Sequence, residues 1–466
     1  MRRRLLALLP LAAALWLAAF AGGRSEPFYL GGIQVNEPDH ERWVTALAEA
    51  GFDTVQVTVY AHQGDWDSAN LWWEEEEPWV VAEIRAARAK GLQVVLVLRV
   101  ALDHAFDANR FLWHGMIMPA TGAELDEWFA RYTRFAEKWA RIAREEGVDL
   151  LAVGSELNSL TNTVQVTELP PLEEYWTNPE KVERERRRVL EHAEGVETAR
   201  LEVPWRAGYD RLDAYLGDRD AAHQGWARRV SRRGEPGGLA AFNARRARLE
   251  RGWREVVARV RREYPGPVTY AANFDQYEEV GFWDALDLIG INAYFPLLER
   301  ITRERKPVDL ETLFAARWKR ILGSIDAFRR QRGLPEHRVL FTEIGYVSRV
   351  HSTVQPWAAT GFSVLPAPEG SRLVVWQEQS ADPMERALAV RGLYLASREV
   401  AAGELLAGLL YWKLSTVASH REVEPFVLIL GEEGAGDPLL DELARFARRP
   451  RGAGRWALPW AGLAGI

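Results

Sequence analysis

Two spacings of apolar residues take turns along this chain. Short runs that are apolar throughout, or apolar at every second position, lie at 28–35, 54–60, 93–99, 150–156, 268–273, 286–294, 339–343 and 405–412. Rich in Val, Ile and Leu, they read as strands, and the continuous ones as strands covered on both faces. Between them, at 40–50, 79–90, 124–146, 241–264, 310–332 and 382–402, apolar residues recur at three- and four-residue spacing, as on one face of a helix. Gly91, Gly147, Gly333 and Gly403 stand just past four of these segments, where a helix C-terminus favours glycine. Strands separated almost throughout by helices predict a parallel sheet, and eight repeats predict its closure into a (β/α)8 TIM barrel. An open doubly wound sheet is the alternative, but it would not bring the fourth and seventh strands together.

The regularity breaks once. Residues 161–240 are polar and rich in Arg and Glu, and they predict an insertion after the fourth strand. Within it, 181–194 reads as an exposed helix with interleaved charges and 232–238 as a turn or linker. At the start, Arg2-Arg3-Arg4 precedes an apolar stretch and the small-x-small site Ala19-Phe20-Ala21, so residues 1–23 predict an export signal. Left uncleaved, the same segment is a membrane anchor, near the lower length limit for spanning a bilayer. The chain then divides into a leader or anchor at 1–23, a barrel domain at 24–448 and a weakly ordered tail at 449–466. The expected location is periplasmic or extracellular.

Composition narrows the chemistry. A formal net charge of −7 over 466 residues argues against a nucleic-acid binder, which needs a basic face. With no Cys there is no disulfide, thiolate metal site or lipoprotein anchor. The nine His show no ligand spacing, and there is neither a Walker loop nor a complete Gly-x-Gly-x-x-Gly, so no metal or organic cofactor is implied. Any one of the 20 Trp is read as core first, although flat aromatic faces also hold sugar rings.

The fourth and seventh strands carry an oddity. Leu150-Leu-Ala-Val-Gly-Ser-Glu156 and Val339-Leu-Phe-Thr-Glu343 are apolar runs that end on glutamate. Burying a carboxylate is costly unless it is paired. Either glutamate alone would be read as a cap on the following helix. Active sites of such barrels lie at the C-terminal strand ends, so Glu156, Asn273, Tyr294, Glu343 and Trp412 are expected at one rim. Paired carboxylates on one rim suit glycoside hydrolysis, one as acid/base and the other as nucleophile or base.

Trp113-His-Gly-Met-Ile-Met-Pro119, Val153-Gly-Ser-Glu-Leu157, Val268-Thr-Tyr-Ala-Ala-Asn273, the run from Phe282 to Leu297, and Phe341-Thr-Glu-Ile-Gly-Tyr346 together resemble glycoside hydrolase family 113. Gln355-Pro-Trp357 and Tyr411-Trp412 fit it too, and the likeness runs from about 28 to 435 without the insertion. The resemblance implies a clan-A retaining glycosidase with endo-β-1,4-mannanase as the activity, the acid/base on Glu156 and the nucleophile on Glu343. The chain departs from the family's usual pattern at Leu98-Arg99-Val100, at His114 and at Ser155.

Retention requires the two carboxyls roughly 5–5.5 Å apart. The acid must keep a proton near neutral pH, so the Glu156 site is expected to be less solvated or more negative than that of Glu343. Tyr294 is expected to hydrogen-bond Glu343, and Trp412 to offer a sugar platform or pack the barrel top. Asn273 binds a hydroxyl or caps a turn; Arg99 meets an anionic or hydroxyl group or forms a structural ion pair; Trp357 lines a subsite. His104 and His114 read as loop hydrogen-bonders before site residues. The expected partner is a carbohydrate, with membrane contact only through an uncleaved N-terminal segment. The rival reading is a non-catalytic carbohydrate-binding or envelope scaffold protein on the same barrel.

Overall fold

The computed structural model describes residues 28–448, apart from 74–75, most of 170–211 and six short breaks between 232 and 404. The predicted leader, the tail, the helix stop Gly403 and most of the 181–194 helix lie outside the described residues. Eight parallel strands follow one another around a closed ring: β1 (Tyr29–Gln34), β2 (Thr54–Gln63), β3 (Gln93–Leu102), β4 (Leu150–Ser155), β5 (Val268–Asn273), β6 (Leu288–Asn292), β7 (Arg338–Ile344) and β8 (Leu406–Ser415). The ring shuts through β1, which pairs β8 on one side and β2 on the other, at Gly31↔Thr54 and Gly32↔Val55. A Cβ on Gly31 would overlap the Thr54 carbonyl, so this seam needs glycine. The predicted (β/α)8 barrel is the observed fold.

Helices α1 (His40–Glu49), α2 (Glu77–Ala89), α3 (Gly122–Glu145), α4 (Leu212–Ser231), α5 (Gly238–Glu263), α6 (Pro307–Gln331), α7 (Pro383–Glu399) and α8 (Pro438–Ala447) surround the ring. α3 starts ahead of its predicted position because Thr121 and Glu124 form a reciprocal capping box. Gly91, Gly147 and Gly333 stand past α2, α3 and α6 with φ of 74°, 69° and 72°, the left-handed cap expected of them. Between β5 and β6 the chain makes only two short 3₁₀ turns, Tyr277–Glu279 and Trp283–Ala285.

The core has two layers. Inside the ring, Tyr29, Val95, Val97, Leu150, Ala152, Leu340, Ala407 and Leu410 fill the barrel. Outside it, the other faces of the strands meet the helices, where Trp43, Trp128, Trp253, Trp283 and Trp318 are essentially unexposed. Most tryptophans so placed are packing, as the prior for a single Trp expects. Among the described residues no helix is long and apolar enough to cross a membrane.

The insertion contributes α4, a helix that the charge-rich sequence did not reveal. Its buried residues Tyr215, Leu216, Asp220, Ala227 and Val230 are few. It lies against the loop that follows β3. There Trp226 Nε1 donates to the Met116 carbonyl at 2.9 Å, His223 Nε2 meets the Phe111 carbonyl at 2.9 Å, and Tyr215 packs edge-on to Phe111. Arg229 pairs with Asp67 and lies over the Trp66 ring.

Candidate active site

Both glutamates follow an irregularity in their strands. From Ala152 to Ser155 the fourth strand takes one residue more than β5 does from Thr269 to Ala271. From Phe341 to Glu343 the seventh takes one more than β6, and from Phe341 to Ile344 one more than β8. An extra residue reverses the alternation and re-aims the side chains beyond it. Glu156 lies just past the end of β4 with φ of 52°, a left-handed backbone that a non-glycine residue adopts at a cost. Buried tyrosines take up polar groups around the β4 irregularity: Tyr132 donates to the Val153 carbonyl at 2.8 Å, and the Tyr270 hydroxyl accepts from the Leu157 amide at 2.8 Å. Trp253 packs against both rings and stacks on Phe282.

Glu343 is the more enclosed of the two, its side chain 3% exposed. Arg99, on the same face of β3 as the interior residues Val95 and Val97, forms an ion pair with Oε1. The Tyr294 hydroxyl donates to Oε2 at 2.8 Å, the bond expected of it. Burial, with Glu156 nearby, pushes the Tyr294 phenol well above its usual range, so it stays a donor. The structural ion pair was one of the two readings of Arg99.

Glu156 is 12% exposed and meets His114 Nε2 through Oε2 at 3.1 Å. Burial alone would raise its carboxyl. The hydrogen bond from His114, the charges of Arg99 and His114, and a hydrogen bond from Asn292 outweigh burial and bring it down to about 2. Of the two ways this site was expected to hold a proton, being less solvated than that of Glu343 does not hold. It is the more open of the two, and a guanidinium and an imidazole flank it.

The remaining predicted residues gather at the same rim. Asn273 closes β5 in register with Asn292, and its Oδ1 accepts from the Phe274 amide at 3.0 Å, a turn-capping contact. Trp357, 47% exposed, stacks on Phe274 with ring centroids 5.2 Å apart. Trp412 is partly buried, with the Arg99 guanidinium 5.0 Å and the Lys413 ammonium 4.4 Å from its ring centroid. His104 is a loop hydrogen-bonder, its Nδ1 3.1 Å from the Asn109 carbonyl. Three neighbours were missed. Asn292, fully buried, accepts from Thr342 and touches Ser155; a lone amide in Leu-Ile-Gly-Ile-Asn is the signal that marks it. Asp275, its carboxyl raised by burial and then by the Glu156 charge, stands in a loop, and Lys413, within β8, faces Glu424 at 3.6 Å; neither belongs to a pattern. Among the described residues no group of three or more His, Asp or Glu could hold a metal ion.

The sequence profile of Glycoside Hydrolase Family 113 matches residues 33–166 and 242–397, so it passes over the insertion. The fold is similar to that of the GH113 β-mannanase AaManA from Alicyclobacillus acidocaldarius, solved in complex with ManMIm. The two are 17% identical, the match covers 90% of this chain and 97% of that one, and the TM-score is 0.55. It is also similar to a GH113 β-1,4-mannanase at 17% identity, covering 91% of this chain and all of that one, with a TM-score of 0.54. No curated protein matches the sequence.

Proposed function

Because this chain belongs to glycoside hydrolase family 113, we propose that it cleaves β-1,4-linked mannan or manno-oligosaccharides with retention, by double displacement. It is a glycosidase by family; the reaction course, the residues and the sugar are our reading. The observation that carries it is that Arg99 both pairs with Glu343 and acts by its charge on Glu156.

Glu343 attacks the anomeric carbon. Arg99, as its ion-pair partner, and Tyr294, through its donated hydroxyl hydrogen, keep it ionised and aimed. Glu156 delivers a proton to the leaving oxygen, then takes one from the water that releases the sugar. Glu156 is held towards its charged form by His114, Arg99 and Asn292. Asn273, Trp357 and Trp412 line the sugar's path. The β-mannanase activity of the two similar structures supports mannan as substrate. The basic and apolar start of the sequence supports action outside the cytoplasm.

The test is hydrolysis of a panel of β-glycans by the wild type and by Glu343→Gln. We expect reducing sugar from β-1,4-mannan, the β-anomer as first product by NMR, and a loss on the order of 10⁴-fold in the variant. Full activity in the variant, or an inverted first product, overturns the assignment.

A further inference from the structure

We propose that His114 stores the proton of the acid/base: imidazole and Glu156 carboxylate share one proton, which His114 holds between turnovers and returns through Glu156 to the leaving oxygen. This rests on the reading of Glu156 as acid/base given above. His114 acts through Glu156 and is a positioning and proton-storing residue.

The geometry is direct. His114 Nε2 stands 3.1 Å from Glu156 Oε2. An ionised carboxylate only accepts, so Nε2 must carry the hydrogen between them. Glu156 is mostly covered, whereas the His114 side chain is 27% exposed and keeps contact with water, from which the pair can be recharged. The ring is held rather than loose. His114 opens a 3₁₀ turn, its carbonyl accepts from the Ile117 amide at 3.1 Å, and Trp113 packs edge-on against it. Behind the turn, Trp226 of the inserted α4 fastens the Met116 carbonyl, and the Met118 amide donates to the Trp66 carbonyl at 2.8 Å.

The other groups around the pair leave it as the proton's place. Arg99 from β3 is a fixed cation whose charge acts on Glu156. Tyr270 from β5 and Tyr294 beyond β6 both feel the Glu156 charge, and burial pushes both phenols up, so neither gives up a proton near neutrality. Burial first, and the Glu156 charge after it, raise the Asp275 carboxyl beyond β5, which meets Glu156 through charge alone. Glu343 is taken by Arg99 and Tyr294. Asn292 only donates an amide hydrogen to Glu156. Among these groups the imidazole is the one that both bonds Glu156 directly and reaches water.

The step balances. In glycosylation the anomeric carbon–oxygen bond breaks, and its electron pair goes to the leaving oxygen. The one shared proton moves from His114 to Glu156 and from there to that oxygen, leaving Glu156 ionised and His114 neutral, and the Glu343 ester forms. In deglycosylation water adds to the anomeric carbon and the ester electron pair returns to Glu343. The water proton passes to Glu156 and on to His114.

The test compares wild type with His114→Gln, which keeps an amide donor but cannot titrate, on β-1,4-mannan and on an aryl β-mannoside whose good leaving group needs little protonation. We expect the alkaline limb of kcat/KM on mannan to move down by at least one pH unit. At pH 7 the loss on mannan should exceed the loss on the aryl glycoside by tenfold or more. Coincident pH profiles, or equal losses on both substrates, overturn the proposal. Should the variant fail to fold, ¹⁵N-histidine NMR of the wild type decides. One imidazole must titrate together with the alkaline limb, and its titration must shift in Glu156→Gln; no such resonance overturns it. Full activity in Glu343→Gln would sink the double-displacement reading instead, so the two failures are distinct.

Discussion

The rims of β4 and β7 deliver the same side chain by the same device and then hold it by different means. Each strand gains one residue ahead of its glutamate. Glu343 is then gripped by residues of the ring, Arg99 on β3 and Tyr294 just beyond β6. Glu156 is gripped by a loop, through His114, and that loop leans on a helix that the family profile does not include. A carboxylate that must stay ionised and aimed suits the rigid wall. One that must gain and lose a proton in each cycle suits a partner with access to water.

Variants of each grip sharpen this contrast. The largest effect is expected from Arg99→Met. It strands Glu343 as a buried charge with one remaining donor, and losing one partner of so buried a pair costs about 3–5 kcal/mol. Thermal or chemical denaturation reads it, and an unchanged midpoint would show the pair to be dispensable.

Next comes acid stability. The Glu156 carboxyl lies at about 2 in the fold, below an ordinary value of 4.5. Its contribution is therefore full above that ordinary value and fades as pH falls towards 2. The difference corresponds to roughly 3 kcal/mol. The stability of Glu156→Gln between these pH values should fall less steeply than that of the wild type, and parallel curves would contradict the His114 and Arg99 contacts.

Tyr294→Phe removes one hydrogen bond to a charged acceptor, about 1.5–3 kcal/mol. If the bond is needed in the transition state, kcat/KM drops by about 10- to 100-fold, with little change in the pH limb that His114→Gln moves. The smallest effect is expected at Trp226→Phe. Losing its bond to the Met116 carbonyl should loosen the loop by about 0.5–1.5 kcal/mol. Hydrogen exchange across 111–118 measures it, while exchange around Glu343 should stay as it was.

Much of this was legible beforehand. The strand and helix periods, glycine stops and strand-end glutamates are local patterns, and the ring followed from their number. Boundaries moved where a cap intervened, as at Thr121. α4 escaped notice because a helix whose buried face rests on a few residues hardly departs from a solvated, charged one. The cations beside Glu156 were not paired with it in advance because they come from afar: Arg99 precedes it by a whole helix, and His114 sits in a loop without periodicity. Asn292 carried a signal that went unused, a polar residue closing an apolar strand.

The sequence by itself determined a closed eight-strand barrel with acidic residues at two strand ends, because apolar period and glycine placement act locally. Only the tertiary structure decided which face those acids take and which cations they meet. A single extra residue in a strand reverses its side chains, and the partners of a buried charge are chosen by proximity in space.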